Sequence, residues 1–162
     1  MDSAAVDAYV FRLERNLMTG SARWVADFTE SFRNYQVQDV LFDMVVTGGM
    51  RVRSGLFFSR LFSFLALPNY QTACFVYCAR VEPGILRKLL RAIQSHMETH
   101  ALRWTWLVLP REGPFPDKVQ RMVEKLDSPE IGVALVDVAS GEVLTSRSYL
   151  GQRMKAHVRC FP

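Results

Sequence analysis

The spacing of hydrophobic positions changes period several times along the chain. Val6, Tyr9, Val10, Leu13 and Leu17 recur at helical spacing behind Ser3, a residue suited to cap a helix, with Asp7, Arg12, Glu14 and Arg15 on the other side. Thr19-Gly20 ends this helix. A second helix is expected from Ser21 to Tyr35, with Trp24, Val25, Phe28, Phe32 and Tyr35 as its apolar stripe. The period then shortens. Residues 37–46 are rich in β-branched and large apolar side chains, Thr47-Gly48-Gly49 follows, and polar and apolar residues alternate over 50–54. Two such runs about a Gly-Gly turn predict a hairpin, with Arg51 and Arg53 projecting from one face of its second strand. The segment 56–67, which carries Leu56, Phe57, Phe58, Leu61, Phe62, Leu65 and Leu67, is read as a strand start passing into a short helix. Apolar on more than one face, it suits burial on both sides or packing against a second copy or another protein.

The rest of the chain is organised around residues 72–138. Three apolar runs, 73–81, 104–109 and 131–138, are separated by two segments of helical spacing. The first helix opens at Pro83 and buries Ile85, Leu86, Leu89, Leu90, Ile93 and Met97; the second opens at Pro116 and buries Val119, Met122, Val123 and Leu126. Strand, helix, strand, helix, strand predicts parallel pairing, because parallel neighbours need a long crossover. After a turn at 139–141 a final antiparallel strand is expected over 142–148. The fold class is therefore α/β, a single domain over 1–162 with a mixed central sheet flanked by helices. It divides into a helical pair (1–36), a sheet-and-helix core (37–148) and a basic tail (149–162).

Composition adds little to that picture. With 162 residues, 49% hydrophobic and 22% charged, the chain has the make-up of a globular domain with a real core. A net charge of +4 permits a phosphate-bearing or acidic partner. Cys74, Cys78 and Cys160 are an odd number without a paired framework, which suits a reducing cytoplasm. The first fifteen residues carry acids and no apolar core run, unlike a signal peptide, and segment 56–67 is too short to span a bilayer.

Candidate chemistry is sparse. His96 and His100 share a helical face, but Met97 stands where a zinc-protease helix places its Glu, so they read as ordinary helix-end histidines. The cysteines lack the close-spaced pairs of a zinc site, and Gly48-Gly49 lacks the Lys-Ser/Thr of a phosphate loop, so no metal or cofactor is expected. Asp39 and Asp43, placed four apart in a strand, would face one side. Cations group as Arg51 with Arg53, as Arg87, Lys88 and Arg91 on one helix, and as Arg147, Arg153, Lys155 and Arg159 after Glu142. The loop 111–115 lies at the carboxyl end of a strand, where open α/β sheets place ligands.

The order of elements resembles the restriction-endonuclease-like, or PD-(D/E)XK, superfamily. Trp106-Leu107-Val108-Leu109-Pro110, followed by Glu130-Ile131-Gly132-Val133-Ala134-Leu135-Val136-Asp137, is similar to an apolar-strand texture found in several members. Members that cut nucleic acid hold a metal with an Asp on one strand and Glu-x-Lys on the next. That resemblance places Cys78 where the Glu would stand and Arg80 where the Lys would stand. A thiol is not the hard oxygen ligand Mg²⁺ prefers, and Arg does not give up its proton near neutral pH. The resemblance therefore implies a degenerate, non-catalytic member that contacts phosphates through its basic residues. Two further readings stay open: an assembly module that dimerises or docks through segment 56–67, and a diverged nuclease using Asp39, Asp43 and Glu82.

Overall fold

The computed structural model describes residues 3–20, 26–49 and 71–162. Its elements run α1 (Ala4–Thr19), β1 (Asp27–Val37), β2 (Val40–Gly49), β3 (Gln71–Val76), α2 (Pro83–His100), β4 (Leu102–Arg111), α3 (Asp117–Lys125), β5 (Ile131–Asp137), β6 (Glu142–Thr145) and α4 (Tyr149–Val158). Among the described residues six strands form one mixed sheet in the order β1-β2-β3-β4-β5-β6. β1, β2 and β3 are a meander, β3, β4 and β5 are parallel, and β6 returns antiparallel on β5. The fold is α/β, as the periodicity predicts.

Both crossover helices cover one face of the sheet. Leu86, Leu89, Ile93 and Met97 of α2 and Val119 and Val123 of α3 pack there on Phe42, Phe75, Leu107, Leu109, Val133 and Leu135. The opposite face carries Cys74, Val76, Trp106, Val108, Ala134 and Val136, and α1 and α4 bury it with Tyr9, Leu13, Leu17, Met154 and Val158. Pro110 is tolerated inside β4 because β3 has already ended at Val76, opposite Val108, so no neighbour on that side is owed a hydrogen bond.

Four expectations are corrected. Residues 27–35 are not a second helix but strand β1, so the helical pair is a helix and an edge strand. Phe28 and Phe32 lie four apart, a spacing that is also an even strand offset, and Thr29, Phe32 and Tyr35 favour strand over helix. Second, Gly48-Gly49 is no turn. The hairpin closes at Gln38-Asp39, with Val37 paired to Val40 and Gln38 at φ 53°. Gly48 sits inside β2 where the strand passes the backbone of Asp27 and Phe28 too closely for any Cβ, at the β1 bulge. Third, β3 stops at Val76, so Cys78 lies beyond the strand that holds Cys74. Fourth, the basic tail is helix α4, and the strand before it, β6, ends at Thr145. Segments 50–54 and 56–67 lie outside the described residues.

Two glycines seat α4 on the sheet. A Cβ on Gly151 would collide with the Ser146 carbonyl, and one on Gly132 would meet Gly151 N and Met154 Sδ at 3.0 Å. Backbone therefore lies against backbone, which only Gly allows. Ser148 Oγ accepts from Gly151 N at 3.2 Å and caps the helix. The far end is closed by α1: Tyr9 Oη donates to the Val158 carbonyl at 2.7 Å, Asn16 Nδ2 to that of His157 at 2.7 Å, and Arg12 Nε to that of Cys160 at 2.7 Å. These bonds satisfy carbonyls that a helix end leaves without partners.

Replacing Gly151 with Val is expected to cost about 1–3 kcal/mol or more in urea unfolding, the range for overpacking with backbone displacement. Gly84→Ala in α2, where a Cβ meets nothing within 4 Å, is expected to be neutral or to stabilise by up to about 1 kcal/mol. An unchanged midpoint for Gly151→Val would remove the close approach of α4 to β5 from this account.

Candidate functional site

The candidate cations separate by layer. Arg87, Lys88 and Arg91 lie on α2, over one face of the sheet; Arg147, Arg153, Lys155 and Arg159 lie on or beside α4, over the other. They do not form one surface. Arg51 and Arg53 lie outside the described residues.

On α2, among the described residues, one of the three cations makes an ion pair. Lys88 Nζ stands 2.9 Å from Asp39 Oδ2, and that ammonium holds the Asp39 carboxyl below its ordinary range. Arg87 and Arg91 are exposed on the same turns. The pair ties the β1–β2 turn to α2, as does Gln38 Nε2 donating to Ser95 Oγ at 2.8 Å. Being exposed, the ion pair contributes little stability.

The α4 side is different in character. Lys and Arg number 20 and Asp and Glu 16, and the four cations after Glu142 account for the whole difference, so the first 142 residues sum to zero. Arg147, Arg153 and Arg159 are exposed and Lys155 half-buried. No ion pair involves any of them among the described residues. Tyr149 is 74% exposed, and the Arg153 guanidinium lies over its ring, 5.7 Å from the centroid. The helix buries Gly151, Met154 and Val158 and presents Tyr149, Gln152, Arg153 and Ala156 to solvent. Tyr149 was not among the candidates, though its place beside the tail cations was legible. Burial, followed by the neighbouring Arg153, pulls the His157 pKa below its ordinary value, which disfavours a further charge on this helix near neutral pH.

The three carboxylates proposed for a metal do not assemble. Asp39 occupies the turn, Glu82 precedes α2 and pairs with Arg80 at 3.3 Å, and Asp43 accepts a hydrogen bond from Cys78 N at 2.7 Å. Asp43 of β2 and Cys78, two residues past the end of β3, are thus brought together. No group of three or more potential ligands forms among the described residues. His96 and His100 stack with centroids 4.0 Å apart, and the His96 ring sets its edge against Tyr35 and Phe75, closing the core under the hairpin. Cys74 and Cys160 are free thiols, and burial pushes the Cys160 thiol up to about 11, away from thiolate chemistry.

A further acid, Asp137, anchors the carboxyl edge. Its Oδ1 accepts from Gly113 N at 2.8 Å and Ala139 N at 2.9 Å, and its Oδ2 from Ser140 Oγ at 2.9 Å. Burial alone would raise its pKa, but these donors, Gly113 foremost, outweigh it and hold the carboxyl below the ordinary range. The loop after β4 and the turn after β5 are joined through this side chain.

No family model matches the chain, and no curated protein or solved structure matches it either. No helix among the described residues is long and apolar enough to cross a membrane.

Asp137→Ala is expected to cost about 1–3 kcal/mol, because it takes a charged acceptor away from three part-buried donors. A depressed carboxyl pKa contributes stability that is present above the unfolded value of about 4 and lost as pH falls through the folded one. The gap between wild type and variant in denaturant titrations should therefore narrow as pH falls below about 4. A gap that widens toward acid would contradict the assignment.

Proposed function

We propose that this chain is a non-catalytic nucleic-acid-binding protein, a degenerate relative of the restriction-endonuclease-like proteins, and that it holds phosphates along the outer face of α4. The observation that carries the reading is the confinement of the whole net charge of +4 to the last twenty residues, where Arg153 and Lys155 lie on α4, Arg147 and Arg159 flank it, and an exposed Tyr149 stands beside Arg153. Cations that neutralise phosphates supply sequence-independent affinity, and an aromatic ring beside them gives an unstacked base a platform. The element order supports the family reading, with helix, antiparallel strands, buried strand, long helix, strand, helix and strand, and so does Asp43 beside Cys78. Lack of catalysis follows from the thiol at 78 and the guanidinium at 80, neither of which serves a Mg²⁺-dependent hydrolysis. The free thiols of Cys74 and Cys160 suit a reducing, cytoplasmic setting.

The test is binding of the full chain to labelled single-stranded and duplex oligonucleotides, with and without Mg²⁺. Affinity should fall steeply between about 50 mM and about 200 mM salt, by roughly tenfold or more for three to four phosphate contacts. Arg153→Gln with Lys155→Gln and Arg159→Gln should abolish most of it, and Tyr149→Ala should weaken single strands by about tenfold. Arg87→Gln with Arg91→Gln should change it little. No binding at low salt would end the reading, and Mg²⁺-dependent cutting lost in Asp43→Ala would turn it into that of a diverged nuclease.

A further inference from the structure

A crevice of about 650 Å³ opens at the carboxyl edge of the sheet, between the segment after β3, the loop after β4 and the start of α1. Its lining includes Val6, Cys78, Arg80, Arg111, Glu112 and Phe115. It is distinct from the α4 face, and its size lies within the range of small-molecule sites, roughly 300–1,000 Å³.

Arg111 is its central feature. The side chain is half-buried, with its guanidinium 5.4 Å from the centroid of the buried Phe115 ring. It has no carboxylate partner among the described residues. A guanidinium seated on an aromatic ring keeps its in-plane donors free and ready to engage a planar or tetrahedral oxyanion through two bonds. The loop that carries it is held by Asp137 through Gly113 N, so the fork is presented on an anchored backbone. Arg80 supplies a second guanidinium whose present partner, Glu82, is an exposed ion pair and readily exchanged. Glu112 is the opposing group, an acceptor suited to hydroxyl donors and hostile to a second anion. At the start of α1, Ser3 Oγ caps the helix by accepting from Val6 N, and Asp7 stands in the first turn.

We infer that this crevice binds a phosphate monoester of a small hydroxylated molecule, with the phosphate on Arg111 and Arg80 and a hydroxyl on Glu112. Two guanidiniums match the charge of a phosphate dianion, one carboxylate acceptor matches a hydroxyl, and the volume takes a sugar phosphate in full.

Ribose 5-phosphate titrated into the full chain, followed by amide NMR, tests this. The amides of residues 78–80 and of Glu112, Gly113 and Phe115 should shift, and those of α4 should not. Ribose without phosphate should leave them in place, and inorganic phosphate should bind more weakly than the ester. Arg111→Gln should weaken binding by about tenfold or more, and Arg111→Lys, which keeps the charge but not the fork, should also weaken it. Arg153→Gln should bind as wild type. Shifts confined to α4, equal binding by ribose, or unchanged affinity in both folded Arg111 variants would overturn the proposal. None of these outcomes decides whether α4 binds oligonucleotides.

Discussion

The constraint on which the rest of this structure depends is the burial of β3, β4 and β5 on both faces. All seven residues of β5 are buried, as are Thr105 to Pro110 of β4. Parallel strands of this kind have no solvent-facing side, so each face must be covered. Crossover helices α2 and α3 follow from parallel connectivity and cover one face. Nothing in the connectivity supplies a cover for the other, and the two ends of the chain provide it.

That requirement explains why the ends are locked together. α1 and α4 are separated by some of the longest sequence distances in the chain, and Tyr9, Arg12 and Asn16 bridge them through main-chain carbonyls at 157–160. The Tyr9 hydroxyl is fully buried, and burial drives its pKa far above that of free tyrosine, so it remains a neutral donor at any pH the fold survives. Covering the sheet thereby fixes the orientation of α4. Gly151, Met154 and Val158 face inward, and Tyr149 and Arg153 are left facing outward. The candidate binding face is the outer side of a structural necessity.

How much of this was legible follows from the kind of signal each segment carries. The stretch from Gln71 to Asp137 was readable because its apolar runs and helical stripes are long and bounded by Pro83, Pro110 and Pro116. β1 is ambiguous in the sequence because Phe28 and Phe32 fit both periods, and only Thr29 between them and Tyr35 after them argue for a strand. The hairpin turn was sought at Gly48-Gly49, where glycine answers a close backbone approach, while the real turn uses Gln38, which gives no such signal. α4 was hidden behind its charge. Ser148 as a cap, with Leu150, Met154 and Val158 at steps of four, was a helix signature, but Gly151 and the unbroken run of cations resembled a solvated tail. The crevice was foreshadowed only by the position of loop 111–115, since the pairing of Arg111 with Phe115 depends on how that loop folds.

The separation of charge from core also bears on why the basic surface lies where it does. Cations on α2 sit on a helix of mixed charge, with Glu82 at its start and Glu98 near its end, and Lys88 is taken up by Asp39. That helix uses polarity to stay soluble over the core. α4 carries no acid, and its two cations, Arg153 and Lys155, are flanked by Arg147 and Arg159, so charge of one sign gathers about a helix only ten residues long. Such an arrangement lowers stability unless packing offsets it. The glycine-to-glycine seat on β5 and the carbonyl bonds from α1 supply that offset. A short helix loaded with one sign of charge and then held down by backbone contact and capping on both ends is a poor choice for stability alone. It is a good one for presenting positive charge to a polyanion on a rigid support, because counterion release then favours binding without the cost of ordering a tail.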